Sequence, residues 1–216
     1  ACGQAARWRE QGSPLCVSVN LSARQLQQAE LAEKVRAALE DAGLPGSMLE
    51  LEVTESMLME DTDAAVSQLA RLRARGLLLA IDDFGTGYSS MAYLPRLPID
   101  KLKIDMAFVQ AVPGEGEAIA NAILAMARAF GLTVLAEGVE TAAQRDFFRD
   151  AGCQQLQGYF FGRALPGDAF AAQWLQPLAG QRERAGAAHT APASAQVVAI
   201  TGPAAAASAR GARSGA

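Results

Sequence analysis

Leu77-Leu78-Leu79-Ala80-Ile81-Asp82-Asp83 is the stretch that decides the fold. Five apolar residues in a row form a run of strand length, flanked by Gly76 before and a Gly-containing loop after. A strand covered by helices on both sides reads as a continuous apolar run. Two carboxylates then follow where such a run ends. In parallel α/β folds that C-terminal end of the strand is where active sites collect.

The same unit recurs on both sides. Strands are predicted at Leu15–Leu21, Met48–Val53, Leu77–Ile81, Ile99–Ile104, Leu132–Ala136 and Leu156–Phe161. Helical patterns fill the gaps: Leu26–Ala42, Asp63–Arg75 after Thr62, Glu117–Phe130 before Gly131, and Thr141–Ala151 before Gly152. Glycine just past a helix end is a C-cap signal, and Thr62 reads as an N-cap. Strands alternating with helices specify an α/β domain with a parallel sheet. Periodicity alone fits two architectures: an open Rossmann-like sheet, or a (β/α)₈ barrel lacking its first two strands. No Gly-rich dinucleotide loop follows the first strand.

Polar residues stand in register with the strand ends. Asn20 closes the first. Glu50 and Glu52 alternate with Leu49, Leu51 and Val53 in the second, so they share one face. Asp82 and Asp83 close the third, Lys101, Lys103 and Asp105 alternate along the fourth, and Glu137 closes the fifth, with Glu140 three residues on. Gln157 lies in the last. Carboxylates brought together repel and need cations. Oxygen donors without thiolate or imidazole suit Mg²⁺ or Mn²⁺. A Cys/His zinc site is excluded, since the single histidine, His189, lies in the tail. The Asp83-Phe84-Gly85 triplet occurs in protein kinases, but no Gly-rich nucleotide loop or His-Arg-Asp segment accompanies it.

Composition sets the remaining bounds. The 216 residues are 50% apolar with a net charge of -4, which suits one domain with a buried core and gives no basic nucleic-acid footprint. Cys2, Cys16 and Cys153 are an odd, dispersed set without CxxC, so a disulfide framework is not expected and a reducing compartment fits best. No run of 18 apolar residues occurs. The sequence opens at Ala1 inside a helical pattern (AARWREQG) with no preceding cap, which reads as the interior of something longer. We expect a folded unit over residues 1–178 and a disordered Ala/Gly/Ser-rich tail over 179–216, with Val197-Val198-Ala199-Ile200 as its one run able to dock.

Six segments together resemble the EAL-domain family of cyclic di-GMP-specific phosphodiesterases. They are Ser18-Val19-Asn20-Leu21-Ser22 with Gln25; Leu51-Glu52-Val53-Thr54-Glu55-Ser56; Asp82-Asp83-Phe84-Gly85-Thr86-Gly87-Tyr88-Ser89-Ser90; Lys103-Ile104-Asp105 with Phe108-Val109; Ala136-Glu137-Gly138-Val139-Glu140-Thr141; and Gln157-Gly158-Tyr159-Phe160-Phe161. The resemblance runs from about Ala1 to Leu178 and favours a modified TIM barrel, here incomplete, without its first two strands. It implies hydrolysis of cyclic di-GMP to linear pGpG with two Mg²⁺ or Mn²⁺ ions. The implied metal ligands are Asn20, Glu52, Asp82, Asp83 and Glu137, with Asp82 bridging. Lys103 would hold the attacking water, Glu140 and Gln157 would support the metal-water network and substrate, and Glu55 would anchor the loop after Asp83. A homodimer, fusion to sensory or GGDEF-type domains, and a cytoplasmic setting with a parent sometimes anchored in a membrane are further implications; DNA and RNA polymers are not. The Glu-Ala-Leu signature itself is absent, which removes one family metal ligand. Truncation of a competent enzyme is the expected cause; a silent cyclic di-GMP receptor or an interaction module is the alternative.

Overall fold

The computed structural model describes residues 1–60, 62–86, 93–175 and 198–199. Residues 87–92, which hold the end of the Asp82–Ser90 motif, and most of the expected tail lie outside the described residues.

Six of the predicted strands form: β1 (Val17–Asn20), β2 (Leu49–Thr54), β3 (Leu78–Phe84), β4 (Lys101–Ile104), β5 (Thr133–Ala136) and β6 (Gln155–Leu156). They lie side by side in chain order, and every pairing is parallel. A two-residue strand, β7 (Val198–Ala199), pairs in parallel with β1, so the described middle of the expected VVAI run docks there. The sheet is open, an α/β half-barrel with β6 and β7 at its edges among the described residues.

Alternation sorts the two faces. The outward residues of β2 to β5 include Leu51, Val53, Ile81, Leu102, Ile104 and Val134, all essentially sealed from solvent. Helices cover that side: α3 (Leu31–Asp41), α4 (Glu55–Glu60), α5 (Thr62–Arg73), α7 (Gly116–Ala129) and α8 (Ala142–Asp150). Each such Leu, Ile or Val contributes about 1.5–3 kcal/mol on burial. The other face carries Glu50, Glu52, Ala80, Asp82, Lys101 and Lys103.

Three glycines end helices as expected, Gly76, Gly131 and Gly152, each with positive φ. The predicted Leu26–Ala42 helix is two helices. Ser22 and Gln25 form a reciprocal capping box that starts a single turn, α2 (Ala23–Leu26), and α3 begins only at Leu31. The last strand stops at Leu156, not Phe161. Beyond it the chain turns back on β5: Gln157 N–H donates to Ala136 O, and Val139 N–H to Gln157 O, both at 2.9 Å.

Two more helices complete the frame: α1 (Cys2–Glu10), whose buried Trp8 packs on Phe170 of α9 (Gly167–Phe170), and α6 (Met106–Gln110), capped by Asp105. Tyr159, Phe160 and Phe161, beside β6, stay exposed at 60%, 38% and 42%, as do Leu165 and Trp174 in part. Arg145 lies over the Phe160 ring and Arg163 over Tyr159.

Candidate active site

The site is built where β2, β3, β4 and β5 end. Lys103, on the inward face of β4, is 4% exposed. Its Nζ lies 2.9 Å from Glu52 Oε2, 2.9 Å from Asp82 Oδ1 and 2.8 Å from Glu137 Oε1. Each carboxylate comes from a different strand or its end. Ala80 makes this possible: it is the inward residue of β3 one step below Asp82, and its methyl leaves room for side chains of β2 and β4 to meet across that strand.

Asp82 and Asp83 pose a geometric problem, because consecutive residues of a regular strand point to opposite faces. The structure solves it with an irregularity. The register of β3 against β4 shifts between Ile81 and Phe84, and Asp83 takes a left-handed backbone, φ 54°. A bulge re-aims side chains in this way and is common beside active sites. Asp83 N–H donates to Asp82 Oδ1 at 3.0 Å. As a result Asp82, Asp83 and Glu137 each offer an oxygen within 4.8 Å of the others. An all-oxygen set of this kind fits a hard divalent cation.

The electrostatics follow from burial and crowding. Burial disfavours the charge on Lys103, but Glu52, Glu137 and Asp82 outweigh it and hold its pKa above the ordinary lysine value. Burial pushes the Glu52 carboxyl up, with Lys103 opposing. It pushes Glu137 up to about 7, again against Lys103 and with help from Asp82. Asp83 is raised by burial, then by Asp82 and Asp105. One ammonium therefore serves several carboxylates that resist being charged together.

The remaining expected residues surround this centre. Asn20 closes β1, paired in register with Glu52, and is exposed. Glu55 starts α4, is buried, and accepts from Gly85 N–H at 3.1 Å, tying down the loop after Asp83. Glu140 is exposed in the loop after β5, where its N–H donates to Gln144 Oε1 at 2.8 Å. Gln157 is clamped beside the end of β5 by the backbone bonds given above. Neither Glu140 nor Gln157 joins the Lys103 cluster among the described residues. Asp105, which alternates with Lys101 and Lys103 in the sequence, carries no site role in the sequence reading. It stands against Asp83 as well as capping α6.

Comparison with known proteins identifies the family and the fold. The EAL domain family model matches residues 1–164. The cyclic di-GMP phosphodiesterase NbdA of Pseudomonas aeruginosa is 52% identical over 154 residues, which are 70% of this chain and 20% of that protein. Among solved structures, the PaMucR phosphodiesterase in complex with c-di-GMP is 45% identical with a TM-score of 0.76, over 79% of this chain and 70% of that one. Klebsiella pneumoniae BlrP1, solved with manganese and cy-diGMP, is 30% identical with a TM-score of 0.68, over 75% of this chain and 42% of that one. The chain spans only 20% to 26% of the length of the curated relatives it matches. With a family model matched over three quarters of its length and six motifs in order along a parallel half-barrel, this chain belongs to the EAL domain family.

Proposed function

We propose that this chain is the larger part of a metal-dependent phosphodiesterase domain that hydrolyses cyclic di-GMP to linear pGpG. The observation that carries the reading is the convergence of Glu52, Asp82 and Glu137 on the buried Lys103, with Asp83 beside them. A pure receptor needs a cleft and hydrogen-bond donors. It has no use for a buried lysine ringed by carboxylates at the ends of parallel strands.

In this reading Asn20, Glu52, Asp82, Asp83 and Glu137 hold two Mg²⁺ or Mn²⁺ ions. Such ions, when bound, supply the positive charge that makes a water nucleophilic at neutral pH and that clamps the attacked phosphoryl group. The chain's own residues do the rest. Lys103 is kept charged by its neighbours, so its N–H donors are available where negative charge builds on the phosphoryl oxygens or on the attacking water. Glu137, whose carboxyl is raised to about 7 by burial in the metal-free protein, gives up its proton when it ligates an ion. Glu55 fixes Gly85 and with it the direction of the Asp82–Asp83 bulge. Gln157 and Glu140, at the rim, orient the substrate. No covalent nucleophile is required.

The names and bound ligands of NbdA, PaMucR and BlrP1 support the substrate and the ion class. A homodimer and a longer parent with sensory or GGDEF-type domains belong to the same proposal. No helix among the described residues is long and apolar enough to cross a membrane.

The test is pGpG formation from cyclic di-GMP with Mg²⁺ or Mn²⁺, by this chain and by a form extended upstream through a Glu-Ala-Leu segment. Turnover in the extended form, abolished by Asp82→Asn, is the expected result. Undiminished turnover in Asp82→Asn would overturn the metal assignment, and binding without turnover in both forms would make the domain a receptor.

A further inference from the structure

Beneath the Lys103 cluster lies a second charged layer that the reaction does not use. Glu50 is 1% exposed and Lys101 5%. Lys101 Nζ sits 2.6 Å from Glu50 Oε2, and Ser18 Oγ donates to Glu50 Oε1 at 2.8 Å. The strand register gives this layer its significance. Glu52 is level with Ala80, and Ala80 is level with Lys101. Lys101 therefore starts at the height of Glu52, on the same inward face, with only the Ala80 methyl between them. Yet its ammonium reaches down to Glu50. The contact is ionic and not a directed hydrogen bond, since Glu50 Oε2 has no hydrogen-bond partner of proper geometry.

We infer that Glu50 is a positioning residue that holds Lys101 away from Glu52, so that the Glu52 carboxylate remains available to Lys103 and to the metal site. This rests on the metal-site reading above. A buried ammonium must have an anion. Glu50 and Glu52 are the two carboxylates on the strand that Lys101 can reach, and Glu50 is its partner in the structure. Without a charge at position 50, Lys101 turns to Glu52, the nearest remaining anion at its own level. Glu52 would then face a second ammonium, and its oxygens would be drawn from the mouth of the site toward the floor. Ser18 fixes the Glu50 carboxylate from β1 and so sets where Lys101 is held.

The consequence is an asymmetry that a purely structural ion pair would not show. In Glu50→Gln the amide keeps the Ser18 hydrogen bond and the side-chain volume but loses the charge, and Lys101 is set free. In Lys101→Met nothing competes for Glu52. In the double variant Glu50→Gln/Lys101→Met the competing ammonium is gone again.

The experiment is titration of the full chain with Mn²⁺ alone, followed calorimetrically, with near-ultraviolet circular dichroism as the check on folding. Glu50→Gln is expected to weaken Mn²⁺ binding by about 10- to 100-fold, the range typical of groups that orient metal ligands. Lys101→Met is expected to lose much less, and the double variant to regain most of the affinity. Wild-type affinity in Glu50→Gln, or a folded double variant as weak as the single one, overturns the inference. A crystal structure of Glu50→Gln without metal gives a second readout: Lys101 Nζ on Glu52 supports it, and Lys101 left on the floor overturns it. If neither the wild-type chain nor its form extended through a Glu-Ala-Leu segment takes up Mn²⁺, the metal reading fails, and that crystal structure still decides where Lys101 goes.

Discussion

The carboxyl of Glu137 ties metal binding to pH. Burial raises its pKa to about 7, with Lys103 pulling the other way. A carboxyl must lose its proton to ligate a metal, so the proton competes with the ion. The sign follows from the direction of the shift. The group is protonated below about pH 7, so affinity weakens as pH falls through that value and levels off above it. With that pKa, the ionised fraction is about one tenth at pH 6 and about nine tenths at pH 8, a roughly tenfold change in apparent affinity. In the metal-free protein the same shift acts oppositely on stability. The folded chain holds this proton more tightly than the unfolded one, so its contribution to the fold is present at low pH and is lost as pH rises toward 7. Mn²⁺ titrations between pH 6 and 8, in buffers of differing ionisation enthalpy, should show both the slope and about half a proton released per site near pH 7. Glu137→Gln should flatten the dependence. A wild-type affinity that is level from pH 6 to 8, with no proton release, would refute the assignment of Glu137 as a buried ligand.

Two further outcomes follow from contacts already described. Lys103→Met leaves Glu52, Asp82 and Glu137 facing one another without a cation, and should cost about 3–5 kcal/mol of metal-free stability in urea denaturation. Saturating Mn²⁺ should recover part of that loss, and equal losses with and without Mn²⁺ would mean that the ion does not sit among these carboxylates. Gly158→Ala places a methyl against Val139 O and Val139 N, far inside van der Waals contact, so the chain beyond β6 must shift. A destabilisation of about 1–3 kcal/mol is expected, and an unchanged urea midpoint would show that the clamp on Gln157 is loose.

The sequence carried the order of strands and the positions of the polar residues because both follow from local rules. Apolar runs of strand length, glycines past helix ends and carboxylates at strand ends are each visible within a dozen residues. Alternation placed Glu50 with Glu52 and Lys101 with Lys103. What it could not supply was pairing across strands. Which lysine meets which carboxylate depends on parallel register and on Ala80 being small, and neither is written in one strand. The Asp82–Asp83 pair illustrates the same limit: period-2 logic separates the two side chains, and only the bulge at Asp83 reunites them. The Leu26–Ala42 helix was read as continuous because Gln27 to Glu30 break no apolar period, although the Ser22–Gln25 box uses up the first turn. The last strand was overextended because Tyr159-Phe160-Phe161 has strong β propensity, which the backbone turn at Gly158 overrides.

The aromatic residues beside β6 bear on how the protein behaves in the tube. A strand of two residues, at the sheet edge among the described residues and next to exposed Tyr159, Phe160, Phe161, Leu165 and Trp174, offers edge backbone and oily surface together, the combination from which chains stick to one another. Sulfate and similar salting-out ions should lower the working concentration of the isolated chain. Free arginine in the buffer, which competes for the ring faces that Arg145 and Arg163 now cover, should raise it.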